Sequence, residues 1–173
     1  MRRTKTGLVS LGGVLAAGAL VALWLACVAP SGQLGLTAVG GLFPMAAAVA
    51  AGRAAGYLCW GAAGLLALIL LPDKGVALLF LLFLGLYPVV KGAVESLRRL
   101  PLEWALKLAF FNAALTVCWF LFRELFLPAL PDWLTGSLPA LYGAGNAVFV
   151  LYDIGLSRLV GWLQVRLSPR GRR

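Results

Sequence analysis

The distribution of the positively charged residues constrains the fold of this 173-residue chain more than any other feature. Apolar runs alternate with short breaks, and the Lys and Arg residues collect at every second break. Of the 15 basic residues, only Lys74 and Arg123 fall at the intervening breaks. Cytoplasmic loops of membrane proteins carry such an excess because positive charge resists translocation. The pattern predicts a chain that crosses the plasma (cytoplasmic) membrane repeatedly and keeps both of its ends in the cytoplasm.

The composition excludes an ordinary soluble domain. Hydrophobic residues make up 62% of the chain and charged residues only 12%, whereas about a quarter of the residues of a soluble domain are charged. The net charge of +9 comes from short clusters that flank apolar runs and that form no basic face on a soluble module. We therefore predict that the partner of this charge is the lipid bilayer and that the chain binds no nucleic acid.

The apolar runs predict an all-α fold, a polytopic integral membrane bundle of six transmembrane helices that forms a single domain over residues 1–173. The predicted spans are 7–28, 34–51, 54–71, 76–90, 106–126 and 140–167. Residues 91–105 mix charged and apolar side chains, which predicts a cytoplasmic connector at the membrane interface. The first run imitates a signal peptide, but it is long enough to span. Pro44 predicts a kink or a break in the second span, and a re-entrant second span would reduce the count to five.

Histidine and the familiar enzyme motifs are missing from the sequence. The chain contains no histidine, and its three cysteines share no metal-ligand or redox spacing. It also lacks a phosphate-cradling loop, a nucleophile elbow and an HExxH motif. We predict a protein that is not an enzyme and that holds neither a metal nor a cofactor. Any ATPase that drives it must be a separate chain.

The last predicted span carries a set of polar and aromatic residues on one face. Tyr142, Asn146, Phe149 and Asp153 follow a 4-3-4 spacing, which places them on the same side of a helix. An ionisable residue inside a membrane is costly, so Asp153 should face the bundle interior, water or a partner. Two readings stay open at this point. Asp153 either helps to form a polar pocket, or pairs with Arg158 or with a basic residue of a neighbouring span.

A small ligand pocket is the functional hypothesis that these residues support. Asn112 on the fifth span is the other buried amide, and interhelical hydrogen bonding is its default role. The predicted pocket residues are Phe43, Asn112, Tyr142, Asn146 and Asp153. Together with Trp24 and Trp133, Phe43 and Tyr142 would line an aromatic pocket near the outer leaflet or belong to an ordinary interfacial belt.

Small residues recur four apart on the first span. Gly12 and Ala16 form one such pair, and Gly13 and Ala17 form another. This spacing lets helix backbones approach closely. The four residues either pack inside the bundle or form a face that docks a partner membrane protein.

Two stretches carry a resemblance to a known family. The run Gly40-Gly41-Leu42-Phe43-Pro44, followed by Gly52 and Gly56, is similar to the second and third spans of the S components of energy-coupling factor vitamin transporters. The stretch 143–158, which leads into a basic tail, looks like their last span. The layout of six short spans with both ends in the cytoplasm also resembles these proteins, over most of the chain.

The resemblance implies a substrate-binding subunit that works with a coupling membrane subunit and with ATPases. In that family, a small-residue face on the first span docks the coupling subunit, and the matching positions here are Gly12, Gly13, Ala16 and Ala17. The usual alanine pair is partly replaced by glycine, and no vitamin-contacting signature is present, so no ligand is implied. The chain also resembles rod-shape-determining membrane proteins of the D type, which implies the alternative function of a membrane scaffold.

Overall fold

A computed structural model describes residues 5–29, 31–97, 99–126 and 136–167. Every regular element in these ranges is a helix. The elements are α1 (Lys5–Val28), α2 (Gln33–Ala51), α3 (Arg53–Leu70), α4 (Lys74–Leu79), a π-helical segment (Phe80–Leu84), α5 (Tyr87–Glu95), α6 (Leu100–Phe126) and α7 (Leu138–Leu167). The all-helical class that the sequence predicts is therefore confirmed.

Among the described residues, five helical segments are long and apolar enough to cross a membrane. They are Val9–Val28, Gln33–Ala51, Arg53–Leu70, Lys74–Glu95 and Leu100–Phe122. Large apolar side chains on these segments are exposed rather than packed, as Val9 at 77%, Leu58 at 74% and Ile69 at 75% show. Exposed apolar surface of this extent marks a membrane-facing or partner-facing surface, because soluble monomers rarely tolerate it. Helix α7 has 30 residues and is not among the five segments found in the described residues.

The contacts divide the chain into two compact units, Met1–Arg98 and Arg99–Arg173. The first unit is built on α1, α2 and α3, which pack closely through small residues. Its buried core contains Ala19 of α1, Ala47 of α2, and Ala63 and Ala67 of α3. Alanine lets helix backbones approach one another without leaving a gap. The second unit pairs α6 with α7.

The second helix runs without a break through Pro44, which is buried in its middle. A proline inside a helix removes one backbone hydrogen bond, and neighbouring helices can compensate for this inside a membrane. Gly41, three residues earlier, packs against the backbone of the π-helical segment, so that a side chain at this position would meet the carbonyl oxygen of Leu84. Of the two outcomes that Pro44 predicts, a kink or a break, the break is therefore not observed.

The region predicted as an interfacial connector, 91–105, is mostly helical. Helix α5 continues to Glu95, and α6 begins at Leu100 with Pro101 in its first turn. Proline is accepted there because its missing N–H would have no helical partner. Whether this region lies at the membrane interface stays a prediction.

The turn between α3 and α4 is held by two charged residues. Asp73 accepts hydrogen bonds from the backbone N–H groups of Gly75 and Val76 and so caps the start of α4. It also accepts a hydrogen bond from Nε2 of Gln33, 2.6 Å away at the start of α2. Nζ of Lys74 donates to the carbonyl oxygens of Leu68 and Leu71 at the end of α3. These contacts satisfy backbone groups that helix ends leave without partners.

Candidate functional site

The polar residues of the second unit form a ladder between α6 and α7. We use the name polar ladder for Lys107, Asn112 and Thr116 of α6 together with Tyr142, Asn146 and Asp153 of α7. The helices run antiparallel, so that residues later in α6 contact residues earlier in α7. The sequence placed the three α7 residues on one helix face, and the structure turns that face towards α6.

The central layer of the polar ladder is a pair of asparagines. Nδ2 of Asn112 donates to Oδ1 of Asn146 at 3.1 Å, and Nδ2 of Asn146 donates back to Oδ1 of Asn112 at 3.1 Å. The second amide hydrogen of Asn112 goes to the carbonyl oxygen of Leu108, and that of Asn146 goes to the carbonyl oxygen of Tyr142. Both amide groups therefore have all of their donors engaged.

One turn away, the hydroxyl groups of Thr116 and Tyr142 lie 2.7 Å apart and share a hydrogen bond. The Thr116 hydroxyl donates to the carbonyl oxygen of Asn112. Because a hydroxyl has only one hydrogen, Tyr142 must be the donor to Thr116. This layer therefore continues the hydrogen-bond chain of the asparagine pair.

At the other end, Lys107 and Asp153 form a buried ion pair. Nζ of Lys107 lies 3.1 Å from Oδ2 of Asp153, and the two side chains are only 6% and 4% exposed. The ammonium group also lies 5.5 Å from the centre of the Trp104 ring, within the range of a cation–π contact. Between this pair and the asparagines, the rings of Phe111 and Phe149 stack at 4.7 Å and 11°. Both rings are buried, at 8% and 1% exposure.

Of the two readings of Asp153, pairing with a basic residue of a neighbouring helix is the one that the structure shows. The partner is Lys107, which the charge pattern places among the cytoplasmic basic residues and whose spacing from Glu103 predicts an ion pair within one helix. Thr116 and Phe111 were also missed. A signal was present, because Lys107, Asn112 and Thr116 recur at intervals of four to five residues and so lie along one side of a helix.

The fifth predicted pocket residue, Phe43, belongs to the first unit. Its ring packs on α1 beside Gly18, where an added Cβ atom would lie 2.5 Å from Cε1 of Phe43. The other four predicted residues belong to the second unit. A pocket that contains all five therefore stays a prediction. Trp24 is 50% exposed, and Trp133 lies outside the described residues.

The four small residues of the first span do not share one environment. Ala16 is buried in the core of the first unit, Gly12 is half-buried, and Gly13 and Ala17 are exposed. An added Cβ atom at Gly12 or Gly13 would meet nothing within 4 Å. Ala16 thus packs inside the unit, whereas docking of a partner by these positions stays a prediction.

The fold defines the class of the molecule as an all-helical protein, and its described residues contain five helices long and apolar enough to cross a membrane. In the part of the chain that the structure describes, no group of three or more His, Cys, Asp and Glu side chains could hold a metal ion. No protein-family model, curated protein or solved structure matches this chain.

Proposed function

We propose that this chain is a six-span membrane protein with both termini in the cytoplasm, which binds a small solute as a non-enzymatic subunit of an ATPase-driven importer. Helix α7 is the sixth span of this proposal. Its buried side carries Leu141, Phe149 and Leu156, whereas Val148 and Leu151 are 63% and 70% exposed. An apolar exposed face opposite a polar paired face suits a helix that lies between lipid and a neighbouring helix.

The observation that carries the proposal is the buried Lys107–Asp153 pair. Replacing a buried ion pair with apolar residues of similar volume is often neutral or stabilising. Stability alone is therefore a poor reason to keep two charges inside a helix pair. Ionisable residues within membrane helices generally mark ligand or ion pathways. A solute with a hydrogen-bond donor and an anionic or carbonyl acceptor can replace the contacts that each of the two residues makes with the other.

The importer would require further chains. A coupling membrane subunit and ATPases act in trans in this proposal, because the sequence has no nucleotide-binding motif. This assignment rests on the resemblance to the S components and on the lack of a nucleotide-binding motif in the sequence, and it names no solute.

A direct test compares the wild-type protein with the double variant Lys107→Met/Asp153→Leu. Both purified proteins are heated with a panel of amino acids, organic acids, amines and nucleobases. A solute at 100 times its Kd stabilises the folded state by about 2.7 kcal/mol. We expect at least one compound to raise the Tm of the wild type in a concentration-dependent manner and to leave the Tm of the double variant unchanged. A compound that stabilises both proteins equally would place the solute site elsewhere.

A membrane scaffold is the second candidate, and a different observation favours it. Among the described residues, no buried side-chain nitrogen or oxygen lacks a hydrogen-bond partner. A polar ladder whose groups satisfy one another is what a purely structural clamp between two helices requires. The scaffold predicts that no solute in the panel changes the Tm, and that partner proteins stay bound to the double variant Lys107→Met/Asp153→Leu, which keeps the helix pair packed.

A further inference from the structure

The fourth membrane-crossing segment, Lys74–Glu95, contains a π-helical turn. The backbone N–H of Gly85 donates to the carbonyl oxygen of Phe80, five residues back, at 2.8 Å. A π-helical turn holds one residue more than the α-helical turn that it replaces. Every residue after the turn therefore occupies the place that the preceding residue would occupy in an uninterrupted α-helix.

The extra residue decides which side chain of α5 is buried. The Lys91 side chain is 1% exposed, and its Nζ atom lies 2.9 Å from Oε1 of Glu95, whose side chain is 38% exposed. Val90 is half-buried and Gly92 is exposed. If the π-helical turn became α-helical, Val90 would move into the buried place of Lys91. Lys91 would move by one residue, about 1.5 Å and 100°, into the exposed place of Gly92.

Burial favours the α-helical register, because in that register the side chain of Val90 would occupy the buried place that the ammonium group of Lys91 occupies in the π-helical register. The π-helical register must therefore be held by other contacts, and α2 and α3 provide them. Nε1 of Trp60 on α3 donates to the carbonyl oxygen of Leu81 at 3.2 Å. Gly41 and Gly64 allow close packing around this segment. A Cβ atom at Gly41 would meet the carbonyl oxygen of Leu84, and one at Gly64 would meet the side chain of Leu81. Pro88 also opposes the α-helical register, because it cannot donate a hydrogen bond to the preceding turn.

We propose that the segment Lys74–Glu95 is a two-register switch, in which Trp60 holds the π-helical register with Lys91 buried and release of that contact turns Lys91 outward. The elements of the switch are a rare backbone geometry, a side-chain donor directed at it from α3, and a charged residue whose exposure depends on the register. The switch lies within the first unit and does not rest on the proposed solute site.

The test measures how readily Lys91 reacts with a water-soluble acetylating reagent in the purified full-length protein, by mass spectrometry of its peptides. The variant Trp60→Phe keeps a smaller aromatic side chain and removes the indole N–H donor. Because one hydrogen bond contributes about 0.5–1.5 kcal/mol, we expect the rate of Lys91 acetylation to rise roughly two- to tenfold. Gly41→Ala should act in the same direction. Trp24→Phe, at a half-exposed tryptophan of α1, is the matched control and should leave the rate unchanged.

Two internal references separate a register shift from unfolding. Lys74 is exposed and reports on the activity of the reagent, whereas Lys107 is buried in the second unit and reports on global unfolding. Deletion of Leu82 removes the extra residue while every later residue keeps its place. Combined with Trp60→Phe, this deletion should return the Lys91 rate to the wild-type value.

Three results would overturn the switch. The first is a wild-type acetylation rate of Lys91 in both Trp60→Phe and Gly41→Ala. The second is a parallel rise in the acetylation rates of Lys107 and Lys91. The third is a Lys91 rate that stays raised when the Leu82 deletion is combined with Trp60→Phe. If the deletion variant does not fold, Val90→Cys in a background without the native cysteines replaces it. Trp60→Phe should then lower the reactivity of the thiol at position 90 while the acetylation rate of Lys91 rises. A rise at both positions would contradict the switch.

Discussion

Nζ of Lys107 lies 3.1 Å from Oδ2 of Asp153, and both side chains are almost fully enclosed between α6 and α7. The pair ends the polar ladder, in which Asn112 and Asn146 bond reciprocally and the hydroxyl of Tyr142 donates to that of Thr116. Together these contacts fix the register of two antiparallel helices, because a shift of either helix by one residue would separate all three layers.

Breaking the ion pair from one side should be strongly destabilising. Asp153→Asn leaves the Lys107 ammonium group buried without its counter-charge, and loss of one partner of a buried pair costs about 3–5 kcal/mol. The free energy of unfolding in detergent measures this. The double variant Lys107→Met/Asp153→Leu should unfold within about 1 kcal/mol of the wild type or be more stable. A double variant that is as unstable as the sum of the single variants would show that the pair is not coupled.

The asparagine pair should behave as one unit. We expect Asn112→Ala and Asn146→Ala each to lower the free energy of unfolding by about 0.6–2 kcal/mol, the range for hydrogen bonds between membrane helices. The double variant should cost little more than either single one, because the first substitution already removes both reciprocal bonds. Ser157→Ala is the control, since the Ser157 hydroxyl bonds only within its own helix, to the carbonyl oxygen of Asp153. Fully additive effects would contradict the reciprocal geometry.

Glycines on neighbouring helices should differ sharply in their tolerance of a methyl group. Gly41→Ala places a Cβ atom against the carbonyl oxygen of Leu84, and overpacking against backbone costs about 1–3 kcal/mol. Gly61→Ala on α3 should be close to neutral, because its Cβ atom meets nothing within 4 Å. The Tm of each variant is the readout. Equal shifts for the two variants would argue against the close approach of α2 to the π-helical segment.

The proposed topology makes a prediction about the carboxyl end of the chain. With six spans and a cytoplasmic amino terminus, a reporter fused after residue 173 lies in the cytoplasm, whereas five spans place it outside. We expect a fluorescent reporter that matures only in the cytoplasm to be bright and a periplasmic phosphatase reporter to be inactive. The reverse result would show that α7 does not cross the membrane. The same topology predicts that Lys74→Cys reacts with a membrane-impermeant thiol reagent in intact cells. Arg53→Cys should react with this reagent only after the cells are permeabilised.

The sequence predicted the helices more completely than the contacts between them. Apolar length and charge placement are local properties, so each predicted span overlaps an observed helix, although α5 ends at Glu95 rather than at 90 and α6 begins at Leu100 rather than at 106. The face shared by Tyr142, Asn146 and Asp153 also follows from helical periodicity. The choice of Lys107 as the partner of Asp153 does not, because it depends on the register between two helices, which packing sets.

The π-helical segment is a second feature that the sequence did not reveal. Its residues, Phe80–Leu84, are uniformly apolar, and an apolar run has the same composition in an α-helix and in a π-helix. Only the tertiary partners distinguish the two, namely the indole of Trp60 and the close approach of Gly41. Both lie more than 20 residues away in the sequence.

The identity of the partner chains tests the proposed solute-binding role most directly. The tagged full-length protein is purified from its native host in mild detergent, and the co-eluting proteins are identified by mass spectrometry. The importer proposal predicts a second membrane protein together with ATPases that carry nucleotide-binding motifs. Recovery of cell-wall synthesis proteins without an ATPase would contradict it and would identify the chain as a membrane scaffold.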